Sequence, residues 1–203
     1  MSPLICAATC LVGLALVWVC AALIEPLHRE DAVVLQWFTE LQRPRLDRAA
    51  TSLTSLLDPL PFVLWSAVLM IIVAARRRPR IALAIVAILA LAPFASELLK
   101  ALLAHRHAPI GPAVSVPAAS WPSGHSTAAL ALALGAVLAT PRRLRSVAAV
   151  LGALFAIGIG FCQLLLARHM PSDVLGGYLV ASFWTALAIA GLRASESDQP
   201  SRT

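Results

Sequence analysis

The chain has 203 residues, 60% hydrophobic and 13% charged, with a formal net charge of +6. A water-soluble globular domain of this size does not need that much apolar surface. The positive charge lies in short arginine-rich loops, which read as signals of membrane topology rather than as a nucleic-acid site.

The charges leave uncharged runs at 4–24, 59–75, 81–96, 126–140, 146–167 and 174–192. A helix needs about 20 residues to cross the hydrocarbon core. Three runs reach that length alone, and the others reach it with flanking polar residues such as Glu97, Lys100 and His125. The pattern predicts an all-α polytopic membrane protein with one domain over 1–203. Six transmembrane helices are expected at about 4–24, 59–75, 81–103, 124–140, 146–168 and 172–192, followed by a cytoplasmic tail over 193–203.

Residues 4–24 lack a basic leader and exceed a typical signal-peptide core, so they read as an uncleaved first span. Cys6, Cys10 and Cys20 lie in that span and Cys162 in the fifth. Their spacing suggests neither a zinc site nor a disulfide framework, and they read as small apolar residues.

Residues 25–58 differ in kind. Asp31 is expected to cap a helix carrying Val34, Trp37, Phe38 and Leu41 on one side. Arg43-Pro44-Arg45 breaks it, and Asp47 is expected to cap a second helix carrying Ala50, Leu53, Leu56 and Leu57. Interleaved charges on the other faces predict short helices lying in the outer interface. Such helices serve either as a lid or lipid-access platform, or as an ordinary connection.

Arg76-Arg77-Arg78-Pro79-Arg80 follows the second span, and Pro141-Arg142-Arg143-Leu144-Arg145 follows the fourth. Such loops stay in the cytoplasm. Both termini are then cytoplasmic, in an integral plasma-membrane protein, and the loops 25–58, 104–122 and 168–172 face outward. Near the outer end of the third span stand Glu97 and Lys100, one helical turn apart. Ionisable groups there need a partner or a polar cavity. The loop 104–120 carries His105, Arg106 and His107, then Pro109, Gly111, Pro112 and Pro117, which suppress regular structure.

Pro122-Ser123-Gly124-His125 opens the fourth span. Proline and serine start helices, and glycine allows close backbone approach to a ligand. The first turn of a helix offers free N–H donors at the positive dipole end, a ready anion site. His125, in that turn, is placed to donate a proton to a leaving group. Gly152, Ala156 and Gly160 form a small-residue ridge on the fifth span. Arg168-His169-Met170-Pro171-Ser172-Asp173 then turns the chain into the sixth. A carboxylate four residues after His169 can hold one ring nitrogen and make the other a better nucleophile. Gly176-Gly177 suggests close packing.

Lys100, Pro122-Ser123-Gly124-His125 and His169-x-x-x-Asp173-Val-Leu-Gly-Gly resemble the three-part signature of the type 2 phosphatidic acid phosphatase family. That family is related to bacterial acid phosphatases and vanadium-dependent haloperoxidases. The resemblance covers most of the chain. It implies that His169 attacks phosphorus to form a phosphohistidine, that Asp173 orients it, and that His125 protonates the leaving alcohol. It also implies that Lys100, Ser123 and Gly124 hold phosphate oxygens, with no metal or other cofactor. The first motif usually has arginine seven residues after the lysine, where His107 stands here, followed by Ala108 rather than proline. The third usually begins Ser-Arg, where Cys162 and Gln163 stand. Arg106, Gln163 and Arg168 are the candidates to replace the two missing guanidiniums.

The expected activity is hydrolysis of a lipid phosphomonoester or diphosphate: phosphatidic acid, phosphatidylglycerol phosphate, or a polyprenyl phosphate or diphosphate. The expected partners are that lipid and the bilayer, without nucleic acid and with a homo-oligomer left open. The alternative is a weakened or inactive family member that binds or moves lipids or supports a partner protein. A plain transporter is disfavoured, because the spans show no inverted repeat and few internal polar residues.

Overall fold

The computed structural model describes residues 2–107 and 116–197. The expected loop residues Pro109, Gly111 and Pro112, and tail positions 198–203, lie outside the described residues. Within them every regular element is helical: α1 (Pro3–Leu23), α2 (Glu25–Glu40), α3 (Pro44–Thr54), α4 (Pro59–Ala75), α5 (Pro79–Leu102), α6 (Gly124–Ala139), α7 (Arg145–Leu165) and α8 (Pro171–Ser197). Short 3-10 turns at Ser55–Leu57 and Arg142–Leu144 precede α4 and α7.

Proline marks the starts. Pro3, Pro26, Pro44, Pro59, Pro79 and Pro171 each stand at the first or second position of a helix, where a missing N–H costs nothing. Within α5, Pro93 leaves the Leu89 carbonyl without its usual helical donor.

Helices α1, α5, α7 and α8 are long and apolar enough to cross a membrane. Helix α4 continues from the α3 segment through a 56° bend, and the two together meet the same test. Helix α6 is apolar but has only 16 residues. Many large apolar side chains face outward, among them Leu11, Leu60, Ile71, Leu83, Phe94 and Leu154. An apolar exterior of this extent suits hydrocarbon and not water.

Helix α8 lies centrally, against α1, α5 and α6, while α7 packs along α6. Ile85, Ile88, Ala92, Ala131, Val180 and Ala181 form the main core. Small residues set the seams. A Cβ on Gly152 would lie 2.9 Å from that of Ala133, and one on Gly160 would collide with Tyr178. The Tyr178 hydroxyl crosses that gap to donate to the Ala156 carbonyl at 2.6 Å. The ridge on the fifth span is thus the surface that lets α6 and α8 approach α7.

The amphipathic segment needs correction in detail. Glu25-Pro26 starts α2 six residues before Asp31, which therefore lies in mid-helix and caps nothing in α2. The inward side of α2 is Ala32, Leu35 and Phe38, while Trp37 and Leu41 are exposed. Pro44 likewise starts α3, leaving Asp47 in its first turn and not at the cap. Ala50, Leu53 and Leu57 face the protein, and Leu56 faces out.

Candidate active site

The start of α6 and the turn between α7 and α8 meet at one end of the bundle. Ser123 is the N-cap of α6: its hydroxyl accepts the Ser126 N–H at 3.4 Å and the Ser126 hydroxyl at 3.1 Å. The Ser123 N–H donates to the Asp173 carbonyl at 2.8 Å, tying the two histidine motifs together. From α5, the Ser96 hydroxyl donates to the Pro122 carbonyl at 3.2 Å. Helix α8 lies flush on this segment. A Cβ on Gly177 would lie 2.6 Å from the Ser123 carbonyl, and one on Gly176 would lie 2.9 Å from the Trp121 indole.

His169 Nδ1 lies 3.2 Å from Asp173 Oδ2, which also accepts the Met170 N–H at 2.9 Å. Asp173 is fully buried and His169 nearly so. A carboxylate held at two points fixes the imidazole and favours a proton on Nδ1. No hydrogen bond from the described residues occupies Nε2. Such an imidazole can act as nucleophile or base.

The turn that carries His169 has its own logic. Ala167 adopts φ 51°, its N–H donates to the Leu164 carbonyl at 2.9 Å, and the Arg168 N–H donates to the Gln163 carbonyl at 3.0 Å. This pair of bonds ends α7 in a Schellman motif, with alanine where glycine would be unstrained. The motif brings Arg168 to the buried Thr54, Nη1 to Oγ1 at 3.4 Å. His125 lies in the first turn of α6. Its Nε2 stands 3.5 Å from Asp58 Oδ1, just before α4, an ion pair when the imidazole is protonated.

Lys100 and Glu97 form the expected pair, Nζ to Oε1 at 2.6 Å. A Cβ on Gly124 would lie 3.1 Å from both atoms, so the ammonium rests over the first turn of α6. Gln163 is fully buried, and neither amide atom has a hydrogen-bond partner among the described residues. An unpartnered buried amide costs about 1–3 kcal/mol. Lys100, Ser123, Gly124, His125, Arg168, His169 and Asp173 thus lie at one end of the bundle, with Gln163 one turn inside α7.

Arg106 lies just after the end of α5. It is exposed and, with His28, Arg29, Gln36 and His107, lines an outer cavity of about 550 Å³. His107 takes the inward place: its Nε2 lies 2.9 Å from the Ser120 hydroxyl and 3.1 Å from the Pro117 carbonyl. Burial holds the His107 imidazole below its ordinary range, against the pull of the Asp173 carboxylate.

Two carboxylates were not singled out as site residues in the sequence. Asp58 faces His125, as above. Asp31 reaches from α2 to the start of α8, where its Oδ1 accepts the Ser172 N–H at 3.0 Å and its Oδ2 the Ser172 hydroxyl. It caps a helix after all, but one 141 residues away. Ala32 and Leu35 flank it and pack on Met170 and Val174, so α2 is fastened to the His169 turn. Burial pushes the Asp31 carboxyl up, the two Ser172 bonds opposing. No local pattern announces a cap supplied from another helix. Asp31 is instead a polar residue on the inward side of α2.

The profile of the PAP2 superfamily matches residues 81–196, which include both histidine motifs and Lys100. No curated protein sequence matches the chain. Among solved structures, the fold matches a transmembrane PAP2 type phosphatidylglycerolphosphate phosphatase from Bacillus subtilis. The TM-score is 0.73 at 18% identity, over 97% of this chain and 98% of that one. With its apolar helices, the chain is an integral membrane protein, and it belongs to the PAP2 superfamily.

Proposed function

We propose that this protein is a lipid phosphate phosphatase working through a phosphohistidine on His169. The observation that carries the reading is the His169–Asp173 pair, joined by the Ser123–Asp173 backbone bond to a helix N-terminus bearing His125. In the first step His169 Nε2 attacks phosphorus, the P–N bond forms and the ester P–O bond breaks. His125 delivers its proton to the departing alkoxide. Water then attacks the phosphohistidine with His125 as base, releasing phosphate and restoring both imidazoles.

The phosphate oxygens are held by Lys100, the Ser123 hydroxyl and the free N–H groups from Gly124 onward. The Gln163 amide and Arg168 supply donors in place of the third motif's arginine, while His107 occupies the arginine place of the first motif. Arg106 serves the outer cavity. The reaction needs no metal or other cofactor. Binding phosphate also gives Lys100 a second anionic partner besides Glu97.

The placement proposed is a plasma membrane crossed six times, with both termini in the cytoplasm and the site on the other side. At 1.5 Å per residue, α6 is about 24 Å long, shorter than the roughly 30 Å hydrocarbon core. A short helix sinks its N-terminal anion site to the depth of a lipid headgroup. Phosphatidylglycerol phosphate is the substrate to try first, since the matched bacterial fold acts on it.

Phosphate release by purified protein from a panel of lipid mono- and diphosphates tests the reading, with His169→Ala alongside. Release by the parent that vanishes in the variant supports it, and equal background from both rejects it. Equal background would favour a lipid-binding member without chemistry. Gln163 at the place of an arginine, with both amide atoms unpartnered, is the observation on that side.

A further inference from the structure

The opposite end of the bundle holds a second polar region that the proposed reaction does not use. The starts of α5 and α7 and the ends of α6 and α8 enclose a cavity of about 1060 Å³. Arg78, Arg80, Arg142, Arg145 and Arg193 stand around it, and no Asp or Glu among the described residues lines it. Its wall is apolar, with Leu138 and Ile189 on α6 and α8.

Arg145 is partly engaged, its Nε donating to the Thr140 carbonyl at 3.2 Å at the end of α6. The guanidinium groups of Arg78, Arg80, Arg142 and Arg193 make no hydrogen bond or ion pair among the described residues. A topological signal requires positive loops on one side of a membrane. It does not require them to converge on a common cavity.

Their placement is also electrostatically unfavourable for the protein alone. The N-terminus of a helix is its positive end and is stabilised by acidic residues. Neither α5 nor α7 has an acidic residue in its first turn, and both begin among arginines. Two positive helix ends and four guanidinium groups without a partner among the described residues therefore raise the potential of one cavity, and a bound anion relieves it. The apolar wall selects an anion that carries hydrocarbon.

We infer that this cavity binds the phosphate headgroup of an anionic phospholipid from the leaflet at that end of the bundle, with its acyl chains along α6 and α8. The bound lipid is a structural ligand and is not turned over. It closes the bundle where the protein's own charges repel.

Thermal unfolding of the full chain in a neutral detergent tests this, with added phosphatidylglycerol, phosphatidylcholine or inorganic phosphate. Phosphatidylglycerol is expected to raise the Tm with concentration, while the zwitterionic lipid leaves it unchanged and free phosphate, acting through the His169 site, shifts parent and arginine variant alike. Arg80→Gln/Arg142→Gln/Arg193→Gln is expected to weaken the apparent phosphatidylglycerol affinity by about tenfold or more. Should that variant fail to elute as a single species, Arg142→Gln and Arg193→Gln carry the same test singly, since both side chains are exposed. A shift of equal size in parent and variant places the lipid elsewhere, the His169 end included, and overturns the inference. A shift from inorganic phosphate as large as that from phosphatidylglycerol, and lost in the arginine variant, rejects the lipid and leaves a free-anion site. No shift with phosphatidylglycerol overturns both.

Discussion

The two ends of this helical bundle are built on opposite electrostatic plans. At the His169 end, α8 begins with an acid in its first turn, and a second carboxylate from α2 caps it. The polar groups there are mostly buried and tied to one another across α2, α5, α6 and α8. At the other end, α5 and α7 begin among exposed arginines without acidic neighbours. The difference separates two ways of handling charge near hydrocarbon. The groups that fix the His169 turn, Asp31, Ser123 and Asp173, are bonded within the protein. Groups that meet a surrounding anion are left open.

The largest expected break in that comparison is His169→Ala, which should reduce lipid phosphate release to background while the purified protein elutes as before. A nucleophile's removal costs more than any supporting group's, because the remaining groups then act on a step that no longer exists.

Gly177→Ala attacks the scaffold of the same end. With 2.6 Å between the new methyl and the Ser123 carbonyl, α8 must shift, and overpacking of this kind costs about 1–3 kcal/mol. Thermal unfolding should show the loss, and phosphate release should fall with it, because the displaced helix carries Asp173. The corresponding change at Gly158, inside α7 where a Cβ meets nothing within 4 Å, should instead stabilise the helix by about 1 kcal/mol.

Asp31→Asn sharpens the comparison by testing whether the α2 clamp positions the His169 turn. The amide still accepts one Ser172 bond but loses the charge at the start of α8, so kcat should fall about tenfold with KM little changed. The effect on stability runs with pH. Burial raises the Asp31 carboxyl above its ordinary 3.8, so its contribution to stability is full below that value. The contribution is lost as pH rises through the folded-state value. A pH series of unfolding midpoints for the parent should show that decline, and the Asn variant should lack it.

Gln163→Leu should separate stability from activity. Removing an unpartnered buried amide relieves about 1–3 kcal/mol of desolvation, so the variant should unfold at the same temperature or higher. If the amide waits for a phosphate oxygen, release should drop about tenfold. Unchanged release would remove Gln163 from the site. The smallest effect expected is Ala167→Gly, which relaxes the φ 51° position and should stabilise the chain by up to about 1 kcal/mol.

The order of these effects follows what was legible in the sequence. The helix starts at Ser123 and Pro171 were readable because proline and serine act locally, whereas α5 begins at Pro79, inside the expected arginine loop and two residues before the expected span. The His169–Asp173 pair was readable because four residues bring two side chains together on either side of a tight turn. The Asp31 cap was not, since its partner lies 141 residues away and only tertiary packing brings them together. The inward face of α2 was misread for a related reason. Trp37 and Leu41 are apolar, but in a bilayer an apolar residue is as well placed outside as inside, so hydrophobicity no longer marks the core. The choice between Arg106 and His107 turned on one residue of loop register, which composition does not encode.

Tyr178 is the chain's single tyrosine, and it bridges α7 and α8 through the gap left by Gly160. It stands five residues beyond Asp173 on the helix that carries it. Fluorinated tyrosine incorporated during expression would therefore give one resonance, with no assignment to make. That resonance would sit on the seam between the helices that bracket His169, and would follow in real time any movement of that seam as substrate arrives and leaves.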